Sequence, residues 1–432
     1  YRSLEGKDFR QVRGAEKVFY GLDDLTESWA AIVEGECDKL ALAVAGIANA
    51  ISVPDGAPPP NSRPSDTKFD FLTNCAAQLD SLKKIVLAVD QDAAGQTLEA
   101  ELARRLGPGR CYRVRWPEGC KDANDVLVQK GADELRRCIE EAKPYPLEGV
   151  FSVADLADDV MSLYQGGFQR GASTGWESVD RHYTVRPGEL TVVTGIPSHG
   201  KSQFLDALVM NLAKQDDWPF AVCSPENMPV SRHVAKLTEQ YTGQPFGPGA
   251  MPRCSPLVLA EAFNWLEHRF VFIAPDEAVT IPAILEQAKL LVARCGIRGL
   301  ILDPWNEFEH TRPHGQTETE YISTSLGQLR RFARAYQVHV WVVAHPQKLY
   351  RLDDKTYPVP TPYDISGSAH WRNKADNCLT VWRDEKLPDE PVQIHVQKVR
   401  FREVGSPGVA LLRFNRVTGQ YQDYLPFVDP SS

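Results

Sequence analysis

Short apolar runs alternate with longer amphipathic stretches over residues 30–145. The runs Ala30–Val33, Lys84–Val89 and Arg110–Arg115 have the length of buried strands. The segments Asp38–Ala45 and Ala93–Leu106, which follow the first two runs, have the pattern of helices. Because strands that alternate with helices form parallel sheets, the pattern predicts an α/β fold whose ligands gather at the carboxyl ends of the strands.

A second α/β pattern begins near residue 188. Four apolar runs are predicted to be buried strands, at residues 190–194, 220–224, 297–302 and 338–344. Three more runs, at residues 378–383, 392–402 and 409–414, are separated by turns and predict antiparallel strands at the C-terminal end.

An amphipathic segment lies between the two patterns. Residues 151–164 place one apolar stripe on a helix, formed by Val153, Leu156, Val160, Leu163 and Tyr164. Such a stripe packs either on its own chain or on a neighbouring subunit, and both alternatives stay open. The chain is therefore divided into the end of an upstream subdomain (1–29), a first domain (30–145), a linker (146–170) and a second domain (171–432).

The composition is that of an ordinary soluble globular protein, with 43% hydrophobic and 24% charged residues. A net charge of −9 argues against coating of nucleic acid by bulk electrostatics but is compatible with a local basic channel. The nine cysteines contain no Cys-x-x-Cys pair, which predicts neither a zinc module nor a disulfide framework and favours a reducing compartment. No run reaches the roughly 20 apolar residues of a membrane span, and the polar start predicts a chain that begins inside a longer one, without a signal peptide.

A phosphate-binding loop is predicted at residues 195–202, Gly-Ile-Pro-Ser-His-Gly-Lys-Ser, between a strand and a helix. Its backbone N–H groups, from Gly195 through Ser198 to Gly200, would face phosphate oxygens. Lys201 would reach the β- and γ-phosphates, and the Ser202 hydroxyl would bind Mg²⁺. The alternative is an ordinary glycine-containing turn, which the flanking strand and helix disfavour.

Polar residues follow three more of the predicted strands. Asp303 ends an apolar run about 100 residues after the phosphate loop, as a Walker B aspartate that holds Mg²⁺ does. Glu226 follows the strand after the phosphate-loop helix, and this order resembles RecA-like ATPases, in which a glutamate at that position polarises the attacking water. His345 is placed to sense the γ-phosphate. A surface glutamate and a histidine satisfied in the core remain the alternatives for these two residues.

Carboxylates also follow two strands of the first domain. Glu34, Asp90 and Asp92 lie at the carboxyl ends of these strands. Clustered carboxylates are costly unless a cation joins them, so this set predicts a Mg²⁺ site for phosphodiester chemistry. Helix N-caps and loop charges are the alternative.

Two loops and one strand supply candidate cations. Residues with small side chains or positive charge are candidates for contact with DNA phosphates, namely Arg312, Gly367, Ser368, Arg372 and Lys374. Lys398, Arg400 and Arg402 alternate along a predicted strand and would therefore point to one side. Such cations can act on the γ-phosphate held by a neighbouring subunit. Solvated loops and a solvated strand face are the alternatives.

These motifs resemble the TOPRIM domain of primases, through Glu34-Gly-x-x-Asp38 and Asp90-x-Asp92, and the RecA-like motor that begins at the phosphate loop. The order of motifs from Glu34 to Gly419 is similar to that of the replicative primase-helicases, a family that includes the phage enzymes, Twinkle and, more distantly, DnaB. Residues 121–125 look like the Lys-Asp-Ala-Asn segment of the phage enzymes, which adds Asp122 to the acidic set.

The resemblance implies a motor that assembles as a hexameric or heptameric ring on single-stranded DNA. It would translocate 5′ to 3′ and unwind forked DNA with ATP or dTTP as substrate and Mg²⁺ as cofactor. Lys398 and Arg400 would complete a neighbour's site, while Arg383 and Phe414 would hold the nucleotide base. A replicative DNA polymerase is the expected partner, and no association with a membrane is expected.

Two other functions stay open. The first domain could be the main activity as a primase, although no zinc ribbon precedes it in this chain. A non-unwinding ring switched by nucleotide is the other alternative. The expected location is a bacterial or phage-infected cytoplasm, with the mitochondrion as the second choice. His199 in the phosphate loop and the segment around Trp371 depart from the family pattern.

Overall fold

The computed structural model describes residues 14–59, 65–147, 149–249, 251–274, 279–312, 314–353, 356–367, 369–384, 386–387 and 390–424. The chain divides into two compact units, one that ends at Gln165 and one that begins at Gly166. The domain limits 1–29, 30–145, 146–170 and 171–432 remain predictions. No helix in the described ranges is long and apolar enough to cross a membrane.

The first unit is built on a mixed sheet. Its described strands are β1 (Trp29–Val33), β2 (Ala50–Ser52), β3 (Lys84–Leu87), β4 (Cys111–Arg113) and β5 (Lys143–Pro144). They lie in the order β2-β1-β3-β4-β5, and only the pairing of β4 with β5 is antiparallel among them. The helices are α1 (Glu36–Val44), α2 (Asp70–Asn74), α3 (Ala76–Asp80), α4 (Ala93–Leu106), α5 (Ala123–Lys130), α6 (Ala132–Glu140) and α7 (Ala157–Gly166), whose last residue is the first of the second unit.

The second unit contains a larger mixed sheet. Its described strands are β6 (Leu190–Thr194), β7 (Phe220–Cys223), β8 (Phe270–Phe272), β9 (Gly299–Leu302), β10 (His339–Val343), β11 (Asn377–Trp382), β12 (Val392–Val399), β13 (Gly408–Phe414) and β14 (Tyr421–Asp423). They lie in the order β14-β13-β12-β11-β6-β10-β9-β7-β8. The strands from β11 to β8 are parallel, whereas β12, β13 and β14 are antiparallel, which confirms the predicted fold class.

Helices of the second unit cover both faces of this sheet. They are α8 (Glu177–Asp180), α9 (Lys201–Asp216), α10 (Val230–Thr242), α11 (Pro256–Glu267), α12 (Ile281–Cys295), α13 (Glu318–Tyr336) and α14 (His370–Lys374). Val193 of β6 packs in the same cluster as α9, while Leu190 and Val192 face the cluster that contains α12 and α13. Because β6 is buried on both faces, it reads as a continuous apolar run.

Some elements differ from the sequence-based expectation. The strand expected at 392–402 ends at Val399, so Arg402 lies exposed in a turn and does not share the strand face of Lys398. Phe19, within the segment expected to belong to an upstream subdomain, is buried in the first unit against Phe71, with ring centroids 4.9 Å apart.

The apolar stripe of α7 and the turn before it is exposed. Val153 and Tyr164 expose 85% and 84% of their surface, and Val160 exposes 56%. None of the residues of α7 is buried. The described chain therefore does not cover this stripe.

Candidate active site

The predicted phosphate loop joins the carboxyl end of β6 to the first residue of α9, Lys201. A Cβ atom on Gly195 would lie 2.3 Å from the Val381 carbonyl oxygen, so a side chain does not fit there. Ser198 and Gly200 adopt positive φ angles of 67° and 89°, which curl the loop. Lys201 Nζ donates hydrogen bonds to the carbonyl oxygens of Gly195 and Ile196, at 3.0 and 3.1 Å.

Lys201 carries a charge that burial disfavours. Burial lowers the pKa of Lys201 to about 8, although the charges of Asp303 and Glu226 act in the opposite direction. An anion beside Lys201 would restore the favourable environment of its charged form. The loop therefore suits a phosphate group.

Asp303 follows β9 and is only 2% exposed. Burial raises the pKa of Asp303 to about 6, opposed by a hydrogen bond from the Ser202 side chain. Ser224 Oγ also donates to Asp303 Oδ2 at 3.4 Å, whereas the buried Oδ1 has no hydrogen-bond partner among the described residues. A hard cation beside Ser202 and Asp303 would satisfy this free oxygen, so the pair fits Mg²⁺.

Glu226 and His345 lie at the same edge of the sheet. Glu226 is exposed in a turn after β7, and its charge affects the pKa values of Lys201, Asp303 and His345. His345 follows β10, and burial together with the Lys201 charge lowers the pKa of its imidazole. His345 Nδ1 is buried without a partner in the described part of the chain. Four polar residues thus meet at the carboxyl ends of adjacent parallel strands.

Arg383 and Phe414 form a pair beside a cavity. The Arg383 guanidinium lies 5.2 Å from the centroid of the Phe414 ring. Both residues line a cavity of about 320 Å³ together with Glu390, Arg413 and Tyr424. A cation over an aromatic ring next to a cavity of this size can hold a flat heteroaromatic base.

Lys398 and Arg400 contact the segment around α14 in their own chain. Lys398 Nζ donates to the carbonyl oxygens of Arg372 and Ala375, and Arg400 Nε lies 2.7 Å from Asp376 Oδ1. Asp376 is 1% exposed and also pairs with Arg330 at 3.0 Å. The two predicted catalytic cations are therefore held by internal acceptors in the single chain.

The candidate DNA contacts differ in their surroundings. Arg312 is exposed, and Arg372 lies over the exposed ring of Tyr363, at 5.3 Å from its centroid. Lys374 Nζ instead donates to the Ser323 carbonyl oxygen of α13 at 2.6 Å. Gly367 has a φ of 90°, and a Cβ atom there would lie 2.5 Å from Ile322 Cδ1, whereas Ser368 lies outside the described residues.

The carboxylates of the first unit influence one another. Burial and the charge of Glu34 raise the pKa of Asp90 to about 7, and burial raises the pKa of Glu34 itself. The buried Glu34 Oε2 has no partner among the described residues. Lys121 Nζ lies 3.3 Å from Asp122 Oδ2 and 3.8 Å from Asp90 Oδ2, as an internal counter-charge.

Two of these carboxylates have local roles. Asp92 is exposed and caps α4, and Asp122 caps α5, each by accepting backbone N–H bonds. In the described ranges, no group of three or more His, Cys, Asp or Glu side chains is close enough to hold a metal ion alone. The free Glu34 oxygen and the raised pKa values fit an added cation, and the Mg²⁺ ligands here remain predictions.

Several contacts at these sites are not predicted by the sequence patterns. Asn306 accepts the backbone N–H of His345, and Asp376 gathers Arg330 and Arg400. Asp38 hydrogen-bonds Asn124 of α5, and burial raises the pKa of Asp38 to about 6. Only the Glu-Gly-x-x-Asp spacing gave a signal for Asp38, whereas the other contacts depend on distant segments that meet only in the fold.

Comparison with known proteins matches two parts of the chain to two different family models. The family model of the DnaB-like helicase C terminal domain matches residues 171–423, more than half of the chain, and the Toprim domain model matches residues 28–115. The Twinkle homolog protein, chloroplastic/mitochondrial, of Arabidopsis thaliana is 45% identical over 98% of this chain and 62% of that protein. The DNA helicase/primase of Enterobacteria phage T3 is 25% identical over 83% of this chain and 63% of that protein. The chain thus spans about three fifths of the length of these relatives.

Solved structures give the same fold. The structure titled "The Structure Of A DnaB-Like Replicative Helicase And Its Interactions With Primase" aligns with a TM-score of 0.56 and 15% identity, over 83% of this chain and 84% of that chain. A second solved structure, of an ATPase domain, aligns with a TM-score of 0.54 and 18% identity, over 64% of this chain and 100% of that chain. The family match over residues 171–423 places the chain in the DnaB-like helicase family, with a Toprim domain ahead of the RecA-like domain.

Proposed function

We propose that this chain is a replicative DNA helicase that couples nucleoside triphosphate hydrolysis to 5′–3′ movement on single-stranded DNA and to duplex unwinding. One observation carries the proposal. Lys201, Asp303, Glu226 and His345 lie at the carboxyl ends of neighbouring parallel strands, where the charge of Glu226 affects the pKa values of the other three. In such sheets, this edge is where nucleotides bind.

Each residue has a role in hydrolysis of ATP or dTTP. Lys201 and the loop backbone hold the β- and γ-phosphates, and Ser202 and Asp303 hold Mg²⁺, which neutralises charge on the phosphate oxygens. Glu226 accepts a hydrogen bond from the attacking water and orients it, while His345 contacts the γ-phosphate through its free Nδ1. Arg383 and Phe414 hold the base.

The proposed assembly is a hexameric or heptameric ring. The exposed stripe of α7 supports packing on a neighbouring subunit, because the described chain leaves it uncovered. Lys398 and Arg400 would then exchange their internal acceptors for the neighbour's γ-phosphate. Arg312, Gly367, Ser368, Arg372 and Lys374 are the proposed contacts to single-stranded or forked DNA, and a replicative polymerase is the proposed partner.

We infer an organelle as the compartment. The Arabidopsis relative, whose printed name is chloroplastic/mitochondrial, covers nearly the whole of this chain, and this favours an organelle over the bacterial or phage-infected cytoplasm expected from the sequence. Imaging the natural gene product fused to a fluorescent protein would test this, and a diffuse cytosolic signal would refute it.

The decisive experiment is unwinding of a forked duplex with a 5′ single-stranded tail. Wild-type protein should separate the strands with Mg²⁺ and ATP or dTTP, and a 3′ tail alone should not support separation. Lys201→Ala should lose both nucleotide binding and unwinding. Glu226→Gln should keep binding but lose about 10²–10⁴-fold in hydrolysis, because Glu226 is exposed and acts on the water. DNA-stimulated hydrolysis without strand separation would replace this proposal with a nucleotide-switched ring.

Primer synthesis is a second candidate activity. It is favoured by the coupled carboxylates Glu34, Asp38 and Asp90 and by the free oxygen of Glu34. The primase homolog protein of Arabidopsis thaliana is 49% identical over 34% of this chain. Mg²⁺-dependent primer synthesis on a single-stranded template, abolished by Glu34→Gln and unaffected by Lys201→Ala, would establish it, and no product under these conditions would exclude it for this chain.

A further inference from the structure

The His199 side chain connects the phosphate loop to the segment after β11. His199 is 2% exposed, and its Nδ1 accepts a hydrogen bond from the Arg383 backbone N–H at 3.1 Å. The imidazole also meets the Trp382 ring edge-on, with centroids 6.3 Å apart. The loop is thus attached, through one side chain, to the residue that carries the candidate base-binding guanidinium.

The Arg383 side chain depends on this attachment for its position. Its guanidinium lies over Phe414 at the 320 Å³ cavity, and its buried Nε has no partner among the described residues. The hydrogen bond from the Arg383 backbone N–H to His199 fixes the position of the Arg383 main chain, from which its side chain extends.

The Phe414 side of the pair is also connected to the loop. Tyr421 packs on Phe414 with ring centroids 4.8 Å apart, and its hydroxyl approaches Gly200 so closely that a Cβ atom there would lie 3.2 Å away. Tyr421 is 6% exposed. Both members of the Arg383–Phe414 pair are therefore held relative to the phosphate loop, one by a hydrogen bond and one by packing.

We propose that His199 is a positioning residue that sets the distance between the phosphate loop and the base-binding pair of Arg383 and Phe414, and so lets the base add to nucleotide affinity. This rests on the proposed nucleotide site. A triphosphate and its base are joined by a short ribose, so both can be bound well only when the two parts of the site have a fixed spacing. With that link removed, the loop still binds triphosphate, but the contribution of the base falls.

The test compares ligands with and without a base. Dissociation constants of the whole chain are measured by calorimetry with Mg²⁺ and ATP, dTTP or inorganic tripolyphosphate. The variants are His199→Leu, which has no acceptor, and His199→Asn, whose Oδ1 is attached to Cγ as Nδ1 is. Of ATP and dTTP, we consider the one that the wild-type chain binds more tightly. We expect His199→Leu to raise its dissociation constant about tenfold and to change that of tripolyphosphate by no more than about twofold. His199→Asn should restore most of the nucleotide affinity.

Several results would overturn the proposal. These are equal weakening of nucleotide and tripolyphosphate by His199→Leu, no weakening of either, failure of His199→Asn to restore affinity, or a wild-type chain that binds tripolyphosphate as tightly as nucleotide. Lys201→Ala separates this inference from the proposed site, because it should weaken all three ligands. If Lys201→Ala leaves tripolyphosphate binding unchanged, the proposed site itself is wrong.

Discussion

A buried ion pair joins the first two helices after the phosphate loop. Asp206 of α9 and His233 of α10 are 5% and 2% exposed, and His233 Nε2 lies 2.9 Å from Asp206 Oδ1. Burial alone would lower the pKa of His233, but the charge and hydrogen bond of Asp206 outweigh it and raise the pKa above 6.5. Since Asp206 lies one helical turn after Ser202, this pair supports the base of the proposed Mg²⁺ site.

The raised pKa of His233 predicts a pH dependence of stability. Its contribution is fully present below the unfolded-state pKa of 6.5 and is lost as the pH rises through the folded-state pKa. Calorimetry from about pH 6 to about pH 9 should therefore show the melting temperature of the second unit falling. His233→Gln should lower stability by about 1–3 kcal/mol at the acidic end and flatten the decline.

His268→Gln provides the matched control for that measurement. His268 is exposed at the end of α11, where its ring bonds only the Asn264 carbonyl oxygen among its side-chain contacts in the described chain. This variant should keep the wild-type slope of melting temperature against pH. Parallel slopes for His233→Gln and wild type would show that the Asp206 pair does not titrate as described.

At the scale of single residues, some features of the site can be located from the sequence, whereas others become visible only in the fold. The phosphate loop and Asp303 can be located from sequence because a contiguous motif carries the chemistry. The Asp206–His233 pair and the bond from Arg383 to His199 join residues 27 and 184 positions apart, and no local pattern predicts either contact. Such pairs become visible only when packing brings the helices and strands together.

At the level of elements, two roles of Asp92 have to be distinguished, the observed N-cap of α4 and the predicted Mg²⁺ ligand. Its Oδ1 accepts the backbone N–H groups of Ala94 and Gly95 at 3.0 and 2.8 Å, so it is the N-cap of α4. The sequence also predicts it as a Mg²⁺ ligand. An asparagine caps a helix about as well as an aspartate but lacks the charge that a cation prefers.

This difference gives a prediction for Asp92. Asp92→Ala should destabilise the first unit by about 1 kcal/mol, whereas Asp92→Asn should change its stability by only a few tenths of that. If Asp92 also binds Mg²⁺, Asp92→Asn should lose the rise in melting temperature that added Mg²⁺ gives the wild-type unit. Asp133→Asn, fully exposed in the first turn of α6, is the control and should retain that rise. If Asp92→Asn retains the full rise in melting temperature with Mg²⁺, Asp92 is a helix cap and not a Mg²⁺ ligand.

Two of the strands that the sequence patterns missed are short. β2 and β8 have three residues each, too few for an alternating or continuous apolar pattern to be distinguished from a loop. The predicted limits of α4 agree with the structure because Asp92 caps one end and Gly107 follows the other. The length of β12 was overestimated because alternation continues in sequence beyond Val399, where pairing with β11 ends.

For the whole molecule, the exposed stripe of α7 predicts how the chain assembles. Val160→Glu should change the stability of the single chain by less than about 0.5 kcal/mol, because the side chain is already 56% exposed. It should nevertheless abolish ring assembly, since a charge would be buried in the proposed interface. Sedimentation of the chain with Mg²⁺ and nucleotide measures the change. Ser162→Glu, which adds the same charge on the opposite side of α7, should still assemble.

Two results would argue against an interface at this stripe. One is normal ring assembly by Val160→Glu, and the other is equal loss of assembly in both variants, which would indicate a general effect of charge on the helix. In either case, the stripe would have to be covered by something other than a second copy of the chain.

The position of α14 has a consequence for how the proposed DNA site and the proposed nucleotide site affect each other. This short helix carries two proposed DNA contacts, Arg372 and Lys374, while the carbonyl oxygens of Arg372 and Ala375 accept hydrogen bonds from Lys398. A shift of α14 on DNA would therefore alter the acceptors of a cation proposed to act on nucleotide. Thermodynamic linkage makes this coupling reciprocal. If bound DNA changes the affinity for nucleotide by some factor, bound nucleotide changes the affinity for DNA by the same factor. Helix α14 and the adjoining Ala375 would then transmit the effect in both directions.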